Sequence, residues 1–145
     1  MTLETDLRVD RIPPGAENRV LEAAGLFDRP PQRQAVRDFL GREGHHLLIA
    51  YLEGEAAGFA LAHELPRLDG PGIKLLLYEI GTAPRFRRRG VARALVEALR
   101  DLARGREAIS MFAITEEGNR AAMALYASTG AVRPSADEAV VRWRL

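Results

Sequence analysis

The sequence predicts a mixed α/β fold, with one mostly antiparallel sheet flanked by helices. Segments with strand-like and helix-like periodicity alternate along the chain. Residues 47–52 and 56–63 both resemble strands, and only a short turn at Glu53-Gly54 separates them, which predicts an antiparallel hairpin. Residues 73–82 form a near-continuous apolar run, typical of a central strand covered on both faces. A length of 145 residues suits a single domain over 1–145.

The first half of the chain adds a strand and two helices to this hairpin. Residues 3–9 alternate between apolar and polar side chains, as in a half-buried strand, and a helical stretch then runs to about Leu26. Asp28 stands before Pro30-Pro31, which predicts that Asp28 caps a second helix ending near Gly41. The apolar residues of that second helix recur on one face.

The second half continues the alternation of helices and strands. Apolar residues recur at helical spacing after Gly90, and a glycine then ends the segment. The predicted elements here are a helix over 91–105, a strand over 107–114, a helix over 119–129 and a final strand over 139–145. The complete order is therefore β-α-α-β-β-β-α-β-α-β.

Composition excludes several classes of protein and site. The chain has no cysteine, which rules out disulfide scaffolds, thiolate zinc sites and cysteine nucleophiles. No apolar run approaches the roughly 20 residues that cross a bilayer, and the polar start is unlike a secretory signal, so we expect a cytoplasmic protein. His45 and His46 are adjacent and would point to opposite faces of a strand, and His63 stands alone. We therefore predict no metal site.

Charge is unevenly distributed along the chain. The 21 basic residues are all arginine except Lys74, and they face 20 acidic residues. Between Arg85 and Arg106 eight arginines stand against Glu97 and Asp101, a local charge of +6 that leaves −5 for the remainder. This asymmetry predicts an anionic ligand at the basic segment and a cationic one elsewhere.

The arginine-rich segment lies between the apolar strand and the start of a helix. A loop in that position can direct free backbone N–H groups at one point, where the helix dipole also favours negative charge. A phosphate fits such a place, and Gly90 and Ala92 have too little side chain to obstruct it. The alternatives are a solvated turn and a nucleic-acid patch, but a duplex-binding protein usually spreads its basic charge over a face.

Two blocks of sequence resemble a known family. Residues 87–92, Arg-Arg-Arg-Gly-Val-Ala, match the R/Q-x-x-G-x-G/A acyl-coenzyme A signature of the GNAT superfamily of N-acetyltransferases. A second block is similar to that superfamily's N-x-x-A-x-x-L-Y-x-x-x-G helix and comprises Asn119, Ala122, Leu125, Tyr126 and Gly130. The two blocks and their order extend the resemblance over nearly the whole chain.

The resemblance implies acetyl-coenzyme A as co-substrate. Backbone amides from Arg88 to Ala92 would hold its diphosphate, the end of the central strand would pair with its pantetheine arm, Asn119 would contact that arm, and Tyr126 would lie near the sulfur. The implied cofactor-binding residues are Ile80, Gly81, Thr82, Arg87, Arg88, Arg89, Gly90, Val91, Ala92, Asn119 and Tyr126.

A finer resemblance suggests the acceptor. Residues 62–68 and 77–80 are similar to segments of the gentamicin-type aminoglycoside 3-N-acetyltransferases, a link to antibiotic resistance. This chain has Asn119-Arg120 where that group carries an acidic pair, which leaves a different amine open. The predicted acceptor is a small cationic amine, aminoglycoside-like by preference. Its candidate contacts are Glu64, Asp69, Glu79, Glu117, Asp137 and Glu138.

The predicted reaction is direct attack of an unprotonated amine on the thioester in a ternary complex. Glu79, near the centre of the apolar strand, is the candidate base, since burial would raise its pKa. Tyr126 would protonate the departing thiolate, and the backbone at Ile80 would polarise the carbonyl. A structural Glu79 and a core-packed Tyr126 are the simpler interpretations.

Three alternatives to this function stay open. One is acetylation of a protein lysine or N-terminus, which would need a long peptide groove. Another is a non-catalytic module that binds coenzyme A, and the third is nucleic-acid binding, which we do not expect. We predict no membrane partner, and the resemblance makes a homodimer an expectation.

Overall fold

The computed structural model describes residues 6–135, 137 and 139–145. The chain divides into two compact units, one ending at Ile114 and the other beginning at Thr115. Among the described residues, the first unit contains the sheet and three α-helices, and the second contains one α-helix. The predicted mixed α/β class is confirmed.

The strands and helices are numbered in chain order. In the first unit they are β1 (Leu7–Arg11), α1 (Glu17–Glu22), α2 (Arg33–Gly41), β2 (His45–Leu52), β3 (Glu55–Pro66), β4 (Ile73–Thr82), α3 (Val91–Gly105) and β5 (Ala108–Ala113). Short 3₁₀ turns lie at Ala24–Leu26 and Pro84–Phe86. The second unit contains α4 (Arg120–Ser128).

The five strands form one sheet in the order β1-β2-β3-β4-β5. The first four strands pair antiparallel with their neighbours, and β5 runs parallel to β4. The predicted hairpin joins β2 to β3 at Glu53-Gly54, and both turn residues have positive φ, of 54° and 81°. This is the conformation that a two-residue hairpin turn requires.

Helices cover the two faces of the sheet. Successive side chains of a strand point to opposite faces, so Phe59 and Gly58 of β3 face different layers. Phe59 belongs to the core beneath α1 and α2, with Val20, Val36, Leu40, Leu47 and Ile49. At Gly58 the other layer approaches, because a Cβ there would lie 2.7 Å from Val91 Cγ1 and 3.3 Å from Leu95 Cδ1 of α3. Helix α3 therefore packs on the face opposite α1 and α2.

Strands β4 and β5 separate part-way along the sheet. The parallel register runs from Ile73↔Ala108 to Leu77↔Ala113, where β5 ends. Strand β4 continues to Thr82, still paired with β3 on its other side. In the described part of the chain, the edge of β4 from Tyr78 to Thr82 on the β5 side has no strand partner.

A bulge in β4 changes which side chains share a face. Leu61 pairs with Glu79 but Ala62 pairs with Leu77, so Tyr78 is the additional residue. The Tyr78 ring contacts His63 edge to face at 5.4 Å between centroids. Glu79 lies opposite Leu61, on that same side of the sheet. The bulge thus presents Tyr78 and Glu79, consecutive residues, on the α2 face.

The second unit carries α4, which is capped at both ends. The Asn119 side chain accepts a hydrogen bond of 3.1 Å from the Ala122 amide, an N-cap. At the other end, Gly130 has φ +95°, and the Ala131 and Gly130 amides donate to the carbonyls of Tyr126 and Ala127. This is a Schellman motif, in which Gly130 follows the C-cap and closes the helix.

Two predictions about elements are wrong. Residues 139–145 form no strand, and Trp143 in this segment is 80% exposed. Alternation of apolar residues describes one face only, whereas a strand also needs a neighbouring backbone for hydrogen bonds. The cap of α2 is Gln32, not Asp28, because a proline disfavours the helical conformation in the residue before it, and the helix begins after both prolines.

Among the described residues, no helix has both the length and the apolar character needed to cross a lipid bilayer.

Candidate functional site

The arginine-rich loop adopts an unusual backbone conformation. It starts at Phe86, which is buried, and ends at Gly90, the N-cap of α3. Arg88 and Gly90 both have left-handed backbones, with φ of 64° and 83°. The left-handed backbone conformation costs a residue with a side chain about 1–2 kcal/mol, so glycine suits position 90. Sequence reasoning did not predict the left-handed Arg88.

The loop leaves a group of donors without partners. In the described part of the chain, the backbone N–H groups of residues 88–92 donate no hydrogen bond. They lie at the positive end of a 15-residue helix. No atom of another described residue lies within 4 Å of the position that a Gly90 Cβ would occupy. We call the amides of 88–92 the amide nest. Its open front and unpaired donors suit an oxyanion such as a phosphate.

Arg85, just before the loop, and the three arginines of the loop have different environments. The Arg85 guanidinium pairs with Glu55 at 3.3 Å, and that of Arg89 pairs with Glu53 at 3.1 Å. Arg87 and Arg88 are exposed and form no ion pair with a described residue. Two of the four cations are therefore available to an anionic ligand, and the other two hold the loop against the β2–β3 turn.

The unpaired edge of β4 leads to the amide nest. Ile80, Gly81 and Thr82 are half-buried, and a turn at Pro84–Phe86 connects them to the loop. Gly81 has no room for a side chain, because a Cβ would lie 2.7 Å from the Phe59 ring. The edge therefore offers backbone donors and acceptors to an extended ligand that ends in a phosphate.

A cleft of about 460 Å³ opens between α2 and the sheet, on the face of the sheet opposite α3. We call it the acceptor cleft. Its walls are mainly apolar, and its charged residues are Asp28, Arg29 and Glu79. The remaining lining residues are Val20, Phe27, Pro31, Gln32, Ala35, Val36, Phe39, Leu47 and Leu61. Glu79 immediately precedes Ile80, so the cleft and the unpaired edge of β4 meet at neighbouring residues.

Glu79 is exposed, and the expectation that it is buried is wrong. Two features of β4 explain the difference. Strand β5 ends opposite Leu77 and does not cover the last residues of β4, and the bulge at Tyr78 turns the Glu79 side chain to the α2 face. Neither feature appears in the apolar pattern of residues 73–82. The Glu79 carboxylate thus lines the acceptor cleft in contact with solvent.

Glu64 and Asp69 lie away from this cleft. The Glu64 carboxylate is 8% exposed, accepts two hydrogen bonds from Arg106 at 3.0 and 3.1 Å, and lies 2.6 Å from His46 Nε2. Glu64 pairs with Leu75, about 23 Å along β4 from Thr82 at 3.3 Å per residue. Asp69 pairs with Arg67 in the loop before β4. This arrangement favours a structural role for Glu64.

Sequence reasoning missed the ion network around Glu64. His46 is buried, and its Nδ1 atom has no hydrogen-bond partner among the described residues. Burial lowers the pKa of His46 despite the opposing effect of Glu64, and Arg106 and His46 together hold the pKa of Glu64 below its usual range despite burial. His46 and Glu64 are far apart in the sequence. Their side chains meet because His46 pairs with Ala62 across β2 and β3.

The second unit contains the remaining predicted residues. Burial raises the pKa of the Tyr126 phenol. The Asn119 side chain caps α4, and Glu117 accepts a hydrogen bond from Arg133 at 3.0 Å. The Asp137 amide donates to the Ser135 hydroxyl. Glu138 lies outside the described residues.

The described residues contain no group of three metal-ligating side chains that could hold an ion. His45 and His46 point to opposite faces of β2, as predicted: His45 contacts the Phe39 ring beneath α2, and His46 is buried near Glu64.

An unpaired strand edge that leads to an amide nest is the arrangement that the two motif blocks imply. A model of the acetyltransferase (GNAT) family matches residues 16–131. The chain belongs to this family. It is therefore an acetyl-coenzyme A-dependent N-acetyltransferase.

Solved structures with the same fold include several acetyltransferases. The aminoglycoside acetyltransferase meta-AAC0020, from an uncultured soil metagenomic sample and in complex with sisomicin, is 17% identical, with a TM-score of 0.82 over 96% of this chain and 95% of that one. Aminoglycoside acetyltransferase HMB0005, also from an uncultured soil metagenomic sample, is 26% identical, with a TM-score of 0.77 over 97% of each chain.

The ribosomal-protein-alanine N-acetyltransferase from Brucella melitensis biovar Abortus 2308 has the same fold. It is 19% identical, with a TM-score of 0.75 over 94% of this chain and 99% of that one. A comparison with curated protein sequences finds no significant match.

Proposed function

We propose that this chain transfers the acetyl group of acetyl-coenzyme A to the primary amine of a small cationic acceptor, by direct attack in a ternary complex. One observation carries the proposal. The unpaired edge of β4 leads to the amide nest on one side, and Glu79, the residue before Ile80, lines the acceptor cleft on the other. Donor and acceptor would thus meet at the bulged part of β4.

The residues present suit a diphosphate joined to an extended arm. The amide nest, with the side chains of Arg87 and Arg88, would hold the diphosphate, and Ile80 to Thr82 would pair with the arm through their backbone. Arg89 and Asn119, also predicted as ligand contacts, already have partners within the chain. When bound, acetyl-coenzyme A supplies an acetyl group activated as a thioester.

Each proton and bond in the proposed reaction has an assigned place. Glu79, through a water molecule, accepts a proton from the ammonium group of the acceptor. The free amine forms a C–N bond with the acetyl carbonyl, which the Ile80 amide polarises, and the C–S bond breaks. Tyr126 donates its phenolic proton to the thiolate, and the tyrosinate recovers a proton, through water, from the nitrogen that has formed the C–N bond. Glu79 then releases its proton to solvent, so that the products are a neutral amide, a thiol and one proton. The raised pKa of Tyr126 keeps its phenolic proton bound through neutral pH.

The identity of the acceptor is a finer question than the reaction. The sequence resemblance to gentamicin-type aminoglycoside 3-N-acetyltransferases and the shared fold of meta-AAC0020 and HMB0005 make aminoglycoside-like acceptors the first class to test. The shared fold of the ribosomal-protein-alanine enzyme keeps a protein N-terminus or lysine as the alternative.

A single domain over 1–145, a cytoplasmic location and a homodimer stay predictions.

The experiment is release of thiol from acetyl-coenzyme A in the presence of aminoglycosides, polyamines, simple amines and peptides. We expect turnover with at least one small amine, and loss of turnover in Tyr126→Phe and Glu79→Gln. Mass spectrometry of the product identifies the acetylated nitrogen. Coenzyme A binding with no turnover of any amine would favour a non-catalytic binding module instead.

A further inference from the structure

We infer that the acceptor is a small amine with one ammonium group and an apolar, preferably aromatic, body. This inference rests on the proposed function, keeps its small cationic amine as acceptor and places aminoglycosides outside the narrower class. It follows from the chemistry of the acceptor cleft and not from the similarity to other enzymes. The cleft offers an apolar ligand a large surface and offers a cationic ligand few carboxylates.

The walls of the cleft are apolar and aromatic. Phe27 and Phe39 line it together with Leu47 and Leu61, and a volume of about 460 Å³ is within the range of small-molecule sites. Burying apolar surface of a ligand is favourable in proportion to the area buried. An aminoglycoside, whose surface is covered with hydroxyl and ammonium groups, would leave those groups without hydrogen-bond partners against such walls.

Both aromatic rings are held in place by their neighbours. The Phe27 ring packs on Phe59 at 4.6 Å between centroids. The Phe39 ring contacts His45 and His63 edge to face, at 5.4 and 5.7 Å. A preorganised aromatic surface costs less entropy on binding, and an aromatic face also attracts an ammonium group.

The charges of the cleft match a single cation. Asp28 and Glu79 carry negative charge, Arg29 carries positive charge, and together they give a net charge of −1. A ligand with several ammonium groups would place one or more of them near Arg29 or against apolar walls. Glu64 and Asp69 cannot supply the missing charge, since Glu64 is bound to Arg106 and both residues lie beyond the cleft.

The position of Glu79 orients such an acceptor. Its carboxylate is the acidic group of the cleft that adjoins Ile80, where the acetyl carbonyl would lie. An ammonium group paired with Glu79 would therefore have its nitrogen at the reacting end. The apolar body would extend between α2 and the sheet, along Leu61 and Phe39.

A series of amines tests this inference directly. We expect kcat/KM to rise by about fourfold per methylene from butylamine to hexylamine, the value for a fully buried CH₂, and phenethylamine to exceed sisomicin and spermidine by at least about tenfold. Equal rates along the alkyl series, or a preference for sisomicin, spermidine or a peptide, would overturn the inference.

A pair of variants on α2 tests whether the cleft itself is responsible. Ala35 is exposed and lines the cleft, whereas Gln34, beside it, is exposed and bonds Asp38 on the same helix. A cation at position 35 should repel an ammonium group in the cleft. We expect Ala35→Lys to raise the KM for phenethylamine about tenfold, and Gln34→Lys to leave it unchanged. An equal effect of both substitutions, or no effect of either, would contradict the assigned cleft.

Calorimetry with coenzyme A separates this inference from the proposed function. If the wild-type chain binds coenzyme A but acetylates only polycations or peptides, the inference alone fails. If it binds no coenzyme A at millimolar concentration, the proposed function fails and the inference fails with it. Both lysine variants should bind coenzyme A like the wild type, since residues 34 and 35 are on α2, on the face of the sheet opposite α3.

Discussion

Gly90 is the residue on which the geometry of the amide nest depends. Its φ of 83° is left-handed, and no neighbour in the described part of the chain would touch a Cβ at this position. The need for glycine is therefore conformational and not a matter of space. A side chain here would either strain the backbone or turn the N–H groups of the loop away from their common focus.

We predict that Gly90→Ala lowers both stability and ligand affinity. The left-handed conformation should cost about 1 kcal/mol of unfolding free energy, and affinity for coenzyme A should fall several-fold. The control is Gly105→Ala, in the last turn of α3, where φ is not left-handed and no described residue has an atom within 4 Å of the added methyl group. Gly105→Ala should leave affinity unchanged. Urea unfolding and calorimetry measure both effects, and equal behaviour of the two variants would argue against the nest.

Substitution of Tyr126 tests the proposed proton transfer to the thiolate. Burial raises the pKa of its phenol, so the group is protonated at neutral pH and suited to donate a proton. We predict that Tyr126→Phe lowers kcat by about 10²–10⁴-fold with little change in coenzyme A affinity. The wild-type rate should fall as pH rises through the raised pKa, and this alkaline limb should be missing in the variant. An unchanged kcat would assign Tyr126 to packing alone.

The sequence predicts the motif residues well and the environments of single side chains poorly. The loop around Gly90 could be predicted because residue type and position before a helix restrict the backbone directly. The exposure of Glu79 could not, since it depends on where β5 ends and on a bulge at Tyr78. The partners of Glu64 are His46 of β2 and Arg106 at the end of α3, and a local sequence pattern does not show which distant residues come into contact.

At the level of elements, the contact between α3 and β3 positions the start of the helix. Val91 packs directly over Gly58, and the Gly81 carbonyl oxygen would lie 2.8 Å from a Cβ at that position. A glycine in the middle of a strand is usually unfavourable. Its presence here lets α3 approach the sheet closely enough to place the amide nest beside β4.

We predict that Gly58→Ala destabilises the protein and weakens the site together. The methyl group would overlap Val91 and the β4 backbone, which should cost about 1–3 kcal/mol of unfolding free energy and displace the start of α3. Gly25→Ala is the matched control, because its added Cβ would have no atom within 4 Å among the residues that the structure describes. Thermal unfolding with and without coenzyme A measures both effects. Wild-type stability and affinity in Gly58→Ala would contradict this packing.

Periodicity predicted the elements of the first unit well and failed at the end of the chain. Helix α3 and the β2–β3 hairpin are determined by local spacing and by residues suited to their turns, so both were found. The predicted strand over 139–145 shows the limit of this reasoning, because its alternating residues form no strand in the structure. Likewise, the separation of β4 from β5 follows from strand length and register, which an apolar pattern does not encode.

For the molecule as a whole, the ion network at His46 and Glu64 connects stability to pH. In the folded chain the pKa of His46 is lowered by burial, so the unfolded chain binds more protons as pH falls below about 6.5. The pKa of Glu64 is lowered as well, and its stabilising effect is lost at still lower pH. Burial likewise lowers the pKa of His63. All three shifts act in the same direction.

We predict that the free energy of unfolding is highest above pH 7 and decreases steadily from pH 6.5 towards pH 4. The variant His46→Gln should flatten the part of this dependence between pH 6.5 and 5, whereas His45→Gln, on the opposite face of β2, should not. Urea unfolding at fixed ionic strength across this range provides the measurement. A stability that stays constant from pH 7 to 5 would contradict the assigned protonation of His46.

Nuclear magnetic resonance of the nitrogen-15-labelled chain, titrated with coenzyme A, tests most directly whether the backbone between β4 and α3 holds this ligand. We predict that the amide resonances of residues 88–92 and 80–82 show the largest shifts and saturate together. Pantetheine, which has no diphosphate, should move those of 80–82 and leave those of 88–92 nearly unchanged. Saturated binding of coenzyme A with no shift at 88–92, or no binding at millimolar concentration, would contradict the account.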